Sequence, residues 1–189
     1  MNQTGFPASN PVSPRNGRSL MKPFFLSILL MLAALLPGCE DRRPPTAMNN
    51  LELHYHTSAE VRYLDINLVH GRLDYTFLPD ADTRCARSVS ATPCWNRDDL
   101  QTLSRQLDRA ELQQLYQTVL DCGILALPQQ VFGETDRRRR AYVTRLQVSA
   151  DGQTRDLVYR SNPQAAAKPA AFARLEQALL QQARSLSTR

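Results

Sequence analysis

The chain has 189 residues, with 23 Lys and Arg against 18 Asp and Glu for a formal charge of +5, and 42% of it is hydrophobic. The excess charge lies before residue 39: Arg15, Arg18 and Lys22 stand there without an acid, so taking 3 from 23 leaves 20 bases against 18 acids, a net of +2. That near balance removes the electrostatic footprint of a nucleic-acid binder, and no nucleic-acid partner is expected.

Residues 1–20 are polar, rich in Pro, Ser and Asn, and carry no periodic apolar pattern. They read as a non-native extension upstream of a start at Met21. Residues 21–38 have the anatomy of an export signal. Lys22 precedes an apolar run from Phe24 that ends in Pro37 and Gly38 directly before Cys39. The run is shorter than the roughly 20 residues needed to span a bilayer.

The segment Leu36-Pro37-Gly38-Cys39 resembles the lipobox of bacterial lipoproteins, with Pro37 a less usual residue in the box. The resemblance implies that the peptide before Cys39 is removed, that Cys39 is acylated, and that the protein meets its membrane through this N-terminal lipid. Glu40 rather than Asp follows the cysteine, which by the same likeness favours the outer membrane, facing the periplasm. Residues 39–50, charged and then Pro-rich, read as a tether. Residues 51–189 are then one domain, and the roughly 150 residues after cleavage suffice for a single core.

From Leu51 the pattern has period two, with Leu51, Leu53 and Tyr55 alternating with Glu52, His54 and His56, as in a half-buried antiparallel strand. Two further runs, Val61 to Val69 and Leu73 to Leu78, flank the turn His70-Gly71 and predict a hairpin ending at Pro79-Asp80. Trp95 is expected to pack the following cysteine loop onto the body. Leu100, Leu103 and Leu107 fit either a helix or a short strand. Asp108 and Glu111 resemble a capping box, and Leu112, Leu115, Tyr116, Val119 and Leu120 recur at helical spacing. With Gly123 at the left-handed C′ position, they predict a helix from about Arg109 to Cys122. Ile124 to Pro128 exits into a loop through Gly133 and Arg140.

Asp151-Gly152 between two strand-like runs predicts a two-residue hairpin turn. It pairs Val148 with Arg155, Leu146 with Leu157 and Thr144 with Tyr159, placing Leu146, Val148, Leu157 and Tyr159 on one face. A closing helix carries Phe172, Leu175, Leu179, Ala183 and Leu186 on one stripe. The order predicts an α+β fold, an antiparallel β-sheet with about two helices packed on one face.

Export suits disulfides. With Cys39 acylated, Cys85, Cys94 and Cys122 remain, an odd set. Cys85–Cys94 closing a short loop is the preferred pairing, and Cys94–Cys122 is the other candidate. The first leaves Cys122 as a buried free thiol near a helix end.

No nucleophile elbow, His-Glu-x-x-His, Cys-x-x-Cys or phosphate-cradling glycine loop is present in the sequence. Neither catalytic residues nor a cofactor are expected. His54 and His56 share a strand face with Glu52 and are the weak candidates for a metal. Their plainer reading is a polar strand face in water or under a neighbouring element. Arg137, Arg138, Arg139 and Arg140 form the densest charge and could meet anionic headgroups or an acidic partner, although charge runs most often mark solvent.

Leu107-Asp108-Arg109-Ala110-Glu111-Leu112, Gly123 with Leu127-Pro128, the Asp151-Gly152 hairpin and the closing amphipathic helix look like the layout of emfourin-type inhibitors of thermolysin-like metalloproteases. The Cys85–Cys94 insertion departs from that layout. The resemblance implies a non-enzymatic domain that binds a protein by loops or a sheet edge. The expectation is therefore a lipid-anchored bacterial envelope lipoprotein of non-enzymatic type, serving as a protein-binding or scaffolding module with an envelope protein as partner. The alternatives are an inhibitor of a secreted metalloprotease and a small-ligand or metal-binding lipoprotein.

Overall fold

The computed structural model describes residues 50–86 and 92–187. The lipobox, Cys39 and nearly all of the tether lie outside the described residues. Seven strands form one sheet: β1 (Glu52–Ala59), β2 (Arg62–Val69), β3 (Arg72–Phe77), β4 (Gln101–Gln106), β5 (Val131–Gly133), β6 (Tyr142–Ala150) and β7 (Gln153–Ser161). Their spatial order is β4-β3-β2-β1-β6-β7-β5. Helix α1 (Ala81–Arg84) is a single turn, whereas α2 (Arg109–Cys122) and α3 (Ala170–Ser187) are the packing helices. The class is α+β. Among the described residues, no helix is long and apolar enough to cross a membrane.

Turn chemistry sets the hairpins. His70 and Gly71 both take positive φ, 51° and 78°, as do Asp151 and Gly152 at 51° and 74°. Two such residues twist in the sense that right-handed strands require. The second turn fixes Val148 opposite Arg155, Leu146 opposite Leu157 and Thr144 opposite Tyr159, the register that the sequence predicts. Residues Gln101–Gln106 form an edge strand paired with β3, which decides between helix and strand for that stretch.

One expectation needs correction. The stretch expected as loop through Gly133 contains β5, and β5 runs parallel to β7, so the sheet is mostly rather than wholly antiparallel. Three residues are too few to show a period. Their pairing is set by distant carbonyls and amides, with the Val158 amide donating to Gln130 O at 2.7 Å and the Glu134 amide to Arg160 O at 2.8 Å. Gly133 has φ 83°, and a Cβ there would lie 2.2 Å from Arg160 O. Only glycine permits so close an approach.

Helix α2 starts where the capping box places it. Asp108 Oδ1 accepts from the Glu111 amide at 2.8 Å, and Glu111 Oε2 accepts from the Asp108 amide at 3.0 Å. The helix ends at Gly123, with φ 67°. Asp108→Ala removes one of these caps and is expected to cost about 1 kcal/mol, read as a lower urea midpoint with an unchanged slope.

Leu115, Tyr116 and Val119 of α2 and Phe172, Leu175, Leu179 and Ala183 of α3 join one core with Leu53, Tyr55, Ile66, Leu68, Leu73, Leu146, Val148 and Leu157. All these strand residues belong to one face of the sheet, so both helices cover that face. A charged clasp closes its β4 edge. Arg105 forks onto Glu111 at 2.6 and 2.8 Å and reaches Gln182 and Ser185 of α3, joining strand and both helices. The opposite face carries Glu52, His54, His56, Asp65, Asn67, Arg145 and Gln147 and remains uncovered by α2 and α3.

Candidate functional site: the open sheet face

Three adjoining depressions run along β1 and β6 on the open face. The largest, about 500 Å³, is lined by His56, Ser58, Glu60, Trp95, Tyr142 and Arg145 among others. The next, about 370 Å³, shares His56 and Arg145 with the first and adds His54, Gln147 and Asp156. The third, about 170 Å³, shares His54 and Gln147 with the second and ends at Glu52, Asn67 and Ser149. Neighbouring depressions meet at the cross-strand pairs His56–Arg145 and His54–Gln147, so the three form a row along the two strands, here called the trough. Its length follows β1, whose eight residues at about 3.3 Å each extend roughly 26 Å.

Pro93 and Trp95, on either side of Cys94, line the wide end. Cys85 and Cys94 are bonded, as the preferred pairing has it, and residues 87–91 between them lie outside the described residues. The Cys94 amide donates to Glu60 O at 2.9 Å, and Trp95 Nε1 donates to Ala59 O at 3.0 Å. Trp95 meets Tyr63 edge-to-face with centroids 5.0 Å apart, and Tyr63 meets His56 in the same way at 5.3 Å. Edge-to-face pairs of this kind contribute about 0.5–1.5 kcal/mol each beyond their burial. The crosslink thus holds an aromatic row against the end of β1 and β2. Burial, with Asp65 adding to it, pushes the Tyr63 hydroxyl above its usual range, so it stays protonated and can donate.

His54 and His56 converge, but on a carboxylate. His54 Nε2 and His56 Nδ1 each lie 3.1 Å from the same oxygen, Asp65 Oδ2. An ionised carboxylate only accepts, so each of these nitrogens is the donor. Glu52, the third member of the sequence candidate, stands two residues beyond His54 and takes no part. No group of three or more His, Cys, Asp or Glu among the described residues has an arrangement that could hold a metal ion. The pair therefore reads as a hydrogen-bonded floor to the trough.

The arginine run divides. Arg140 pairs with Glu60 and lies 5.9 Å from the Tyr142 ring centre. The Glu60 carboxyl is held below its usual range, first by a backbone hydrogen bond within its own residue and then by Arg140. Arg139 reaches Glu134 at 3.6 Å and Asp136 at 3.8 Å. Arg137 and Arg138 are exposed, and among the described residues their guanidinium groups have no ion pair. Of the run, Arg140 thus lines the trough, Arg139 is paired outside it, and Arg137 and Arg138 face solvent.

Sequence reasoning missed three groups. Arg145 is exposed beside His56 across the strands and has no ion pair among the described residues. Asp65 is the acceptor for both histidines. On the helix side, Tyr55 donates to Glu176 Oε1 at 2.7 Å, and Lys168 also bonds Glu176 while standing 4.9 Å from the Tyr159 ring centre. The alternation along β6 does show Arg145 pointing away from Leu146 and Val148. What it cannot show is that β1 lies alongside, which is a pairing across some ninety residues.

Cys122 is the free cysteine among the described residues, half-buried at the end of α2, and burial pushes its thiol pKa up. A thiol so held is a poor nucleophile at neutral pH.

No family model matches the chain, and the curated proteins contain no significant match to it.

Proposed function

We propose that the chain is a lipid-anchored lipoprotein of the bacterial cell envelope, held at the outer membrane through Cys39, whose domain binds a protein partner on the open face of its sheet and catalyses nothing. The observation that carries this reading is the trough. It is a row of three adjoining depressions on a face that the helices leave bare, with an aromatic row pinned by a disulfide at its wide end. Binding surfaces are enriched in such Trp, Tyr and Arg side chains at their centres. The export signal and lipobox-like segment supply the address, and the tether lets the domain stand off the bilayer. A scaffolding role follows if the partner belongs to the envelope, and an inhibitory one if it is a secreted metalloprotease.

Crosslinking of the C-terminally tagged full chain in intact bacteria, followed by mass spectrometry, tests this. The parent is expected to retain one partner in near-stoichiometric yield. Trp95→Ala combined with Arg145→Glu is expected to lose it while the circular dichroism spectrum is unchanged. Equal capture by parent and variant, or capture of nothing by the parent, contradicts the reading.

A further inference from the structure

The charges along the trough are ordered. At the wide end stand Arg140, already committed to Glu60, and Arg145, which has no acid paired to it among the described residues. Asp65 lies level with Arg145 across β1 and is engaged by both histidines, while in the middle Asp156 is exposed and has no ion pair among the described residues. At the narrow end stands Glu52, exposed and likewise without an ion pair among the described residues. One free base at one end therefore faces two free acids toward the other. Register gives the spacing. Arg145 sits opposite His56 and Ser149 opposite Glu52, so Arg145 and Glu52 are four residues apart along the strands, about 13 Å at the usual rise.

We propose that the trough takes an extended peptide segment of the partner that presents a carboxylate to Arg145 beside Trp95 and a basic side chain toward Asp156 and Glu52. This rests on the open-face reading above and names the chemistry of what it binds. An extended strand has the right shape, because the three depressions follow one another along β1 and β6. It also has the right spacing, because side chains four residues apart on a strand share one face and match the distance from Arg145 to Glu52. A uniformly acidic tract suits the site badly, since Asp156 and Glu52 would repel its far half. An anionic membrane surface suits it badly for the same reason, and Arg137 and Arg138, exposed outside the trough, would serve it better. Complementary ends also fix direction, since like-charge juxtaposition disfavours the reversed chain.

The chain's sole tryptophan, Trp95, lines the wide end, so its fluorescence reports occupancy directly. The full chain in a neutral detergent is titrated at low salt with three capped peptides: Glu-Glu-Ser-Ser-Ser-Lys-Lys, all-serine, and Lys-Lys-Ser-Ser-Ser-Lys-Lys. The first peptide alone is expected to shift the emission saturably. Arg145→Glu is expected to weaken that binding by about tenfold and to raise the response to the dibasic peptide. Glu52→Lys combined with Asp156→Lys is expected to weaken the bipolar peptide and to favour an all-acidic one. Equal response to all three peptides, no response to the first, or a response to phosphatidylglycerol vesicles in its place overturns the proposal. If a partner still crosslinks to the trough in cells while the bipolar peptide fails to bind, the peptide chemistry falls and the open-face reading stands.

Discussion

Replacing Cys39 with serine is expected to abolish fatty-acid labelling completely and to leave a longer species carrying the apolar run from Phe24 to Leu36. The lipobox likeness couples two events to one side chain, because cleavage before the cysteine and acylation of it both need that residue. The energetic stake is large. Each buried methylene is worth about 0.8 kcal/mol, and a single chain anchors only marginally, so stable attachment needs more than one. Metabolic labelling with a radioactive fatty acid, read beside electrophoretic mobility, gives both outcomes at once. Retained label in the serine variant would mean that Cys39 is not the modified residue, and unchanged mobility would mean that it does not direct cleavage.

Phe172→Ala is expected to be the most damaging change within the folded domain, at about 3–5 kcal/mol. Phe172 is fully buried in the first turn of α3. Its ring stands 6.4 Å from that of Tyr159 and beneath the Lys168 ammonium, which lies 5.2 Å from its centre. Removing it opens a cavity beneath the site where Lys168 and Tyr55 both bond Glu176, so the polar clasp at the start of the helix loosens as well. Against a typical total of about 5–15 kcal/mol, that loss leaves a substantial unfolded population under mild denaturant. Urea titration followed by circular dichroism measures it. Gln177→Ala, exposed on the outer side of the same helix, is the control, with an expected cost well below that of Phe172→Ala. Equal midpoint shifts for the two would show that α3 is not docked by this stripe.

The stripe was legible because a helix writes its buried face into its spacing, and Phe172, Leu175, Leu179 and Ala183 do so without interruption. The Asp151-Gly152 turn was legible for a related reason: a two-residue turn dictates register, and the alternation of Leu146 and Val148 agrees with it. Asp108, Glu111 and Gly123 mark the ends of α2 through groups that act within one helical turn. The cysteine pairing was narrowed by loop length, yet nothing in the sequence excluded Cys122.

What stayed hidden is non-local. β1 leaves its hairpin partner β2 on one side and accepts β6 on the other, and that second pairing is what brings Arg145 beside His56. Asp65 looked like any polar residue on a strand, and becomes the acceptor for two histidines only once β2 is folded back on β1. β5 carries no period of its own and exists because β7 offers an edge and Gly133 can approach it. The site was therefore only half readable: its residues were visible as a polar face, and their assembly into a trough depended on strand order.

The most direct test of binding on the open face is site-specific photo-crosslinking in intact bacteria, with the photoreactive residue placed at Gln147 on the trough floor or at Gln181 on the outer face of α3. A discrete crosslinked species from Gln147 and none from Gln181 is the result expected. A species from Gln181 alone, or from neither position, would contradict binding on the open face.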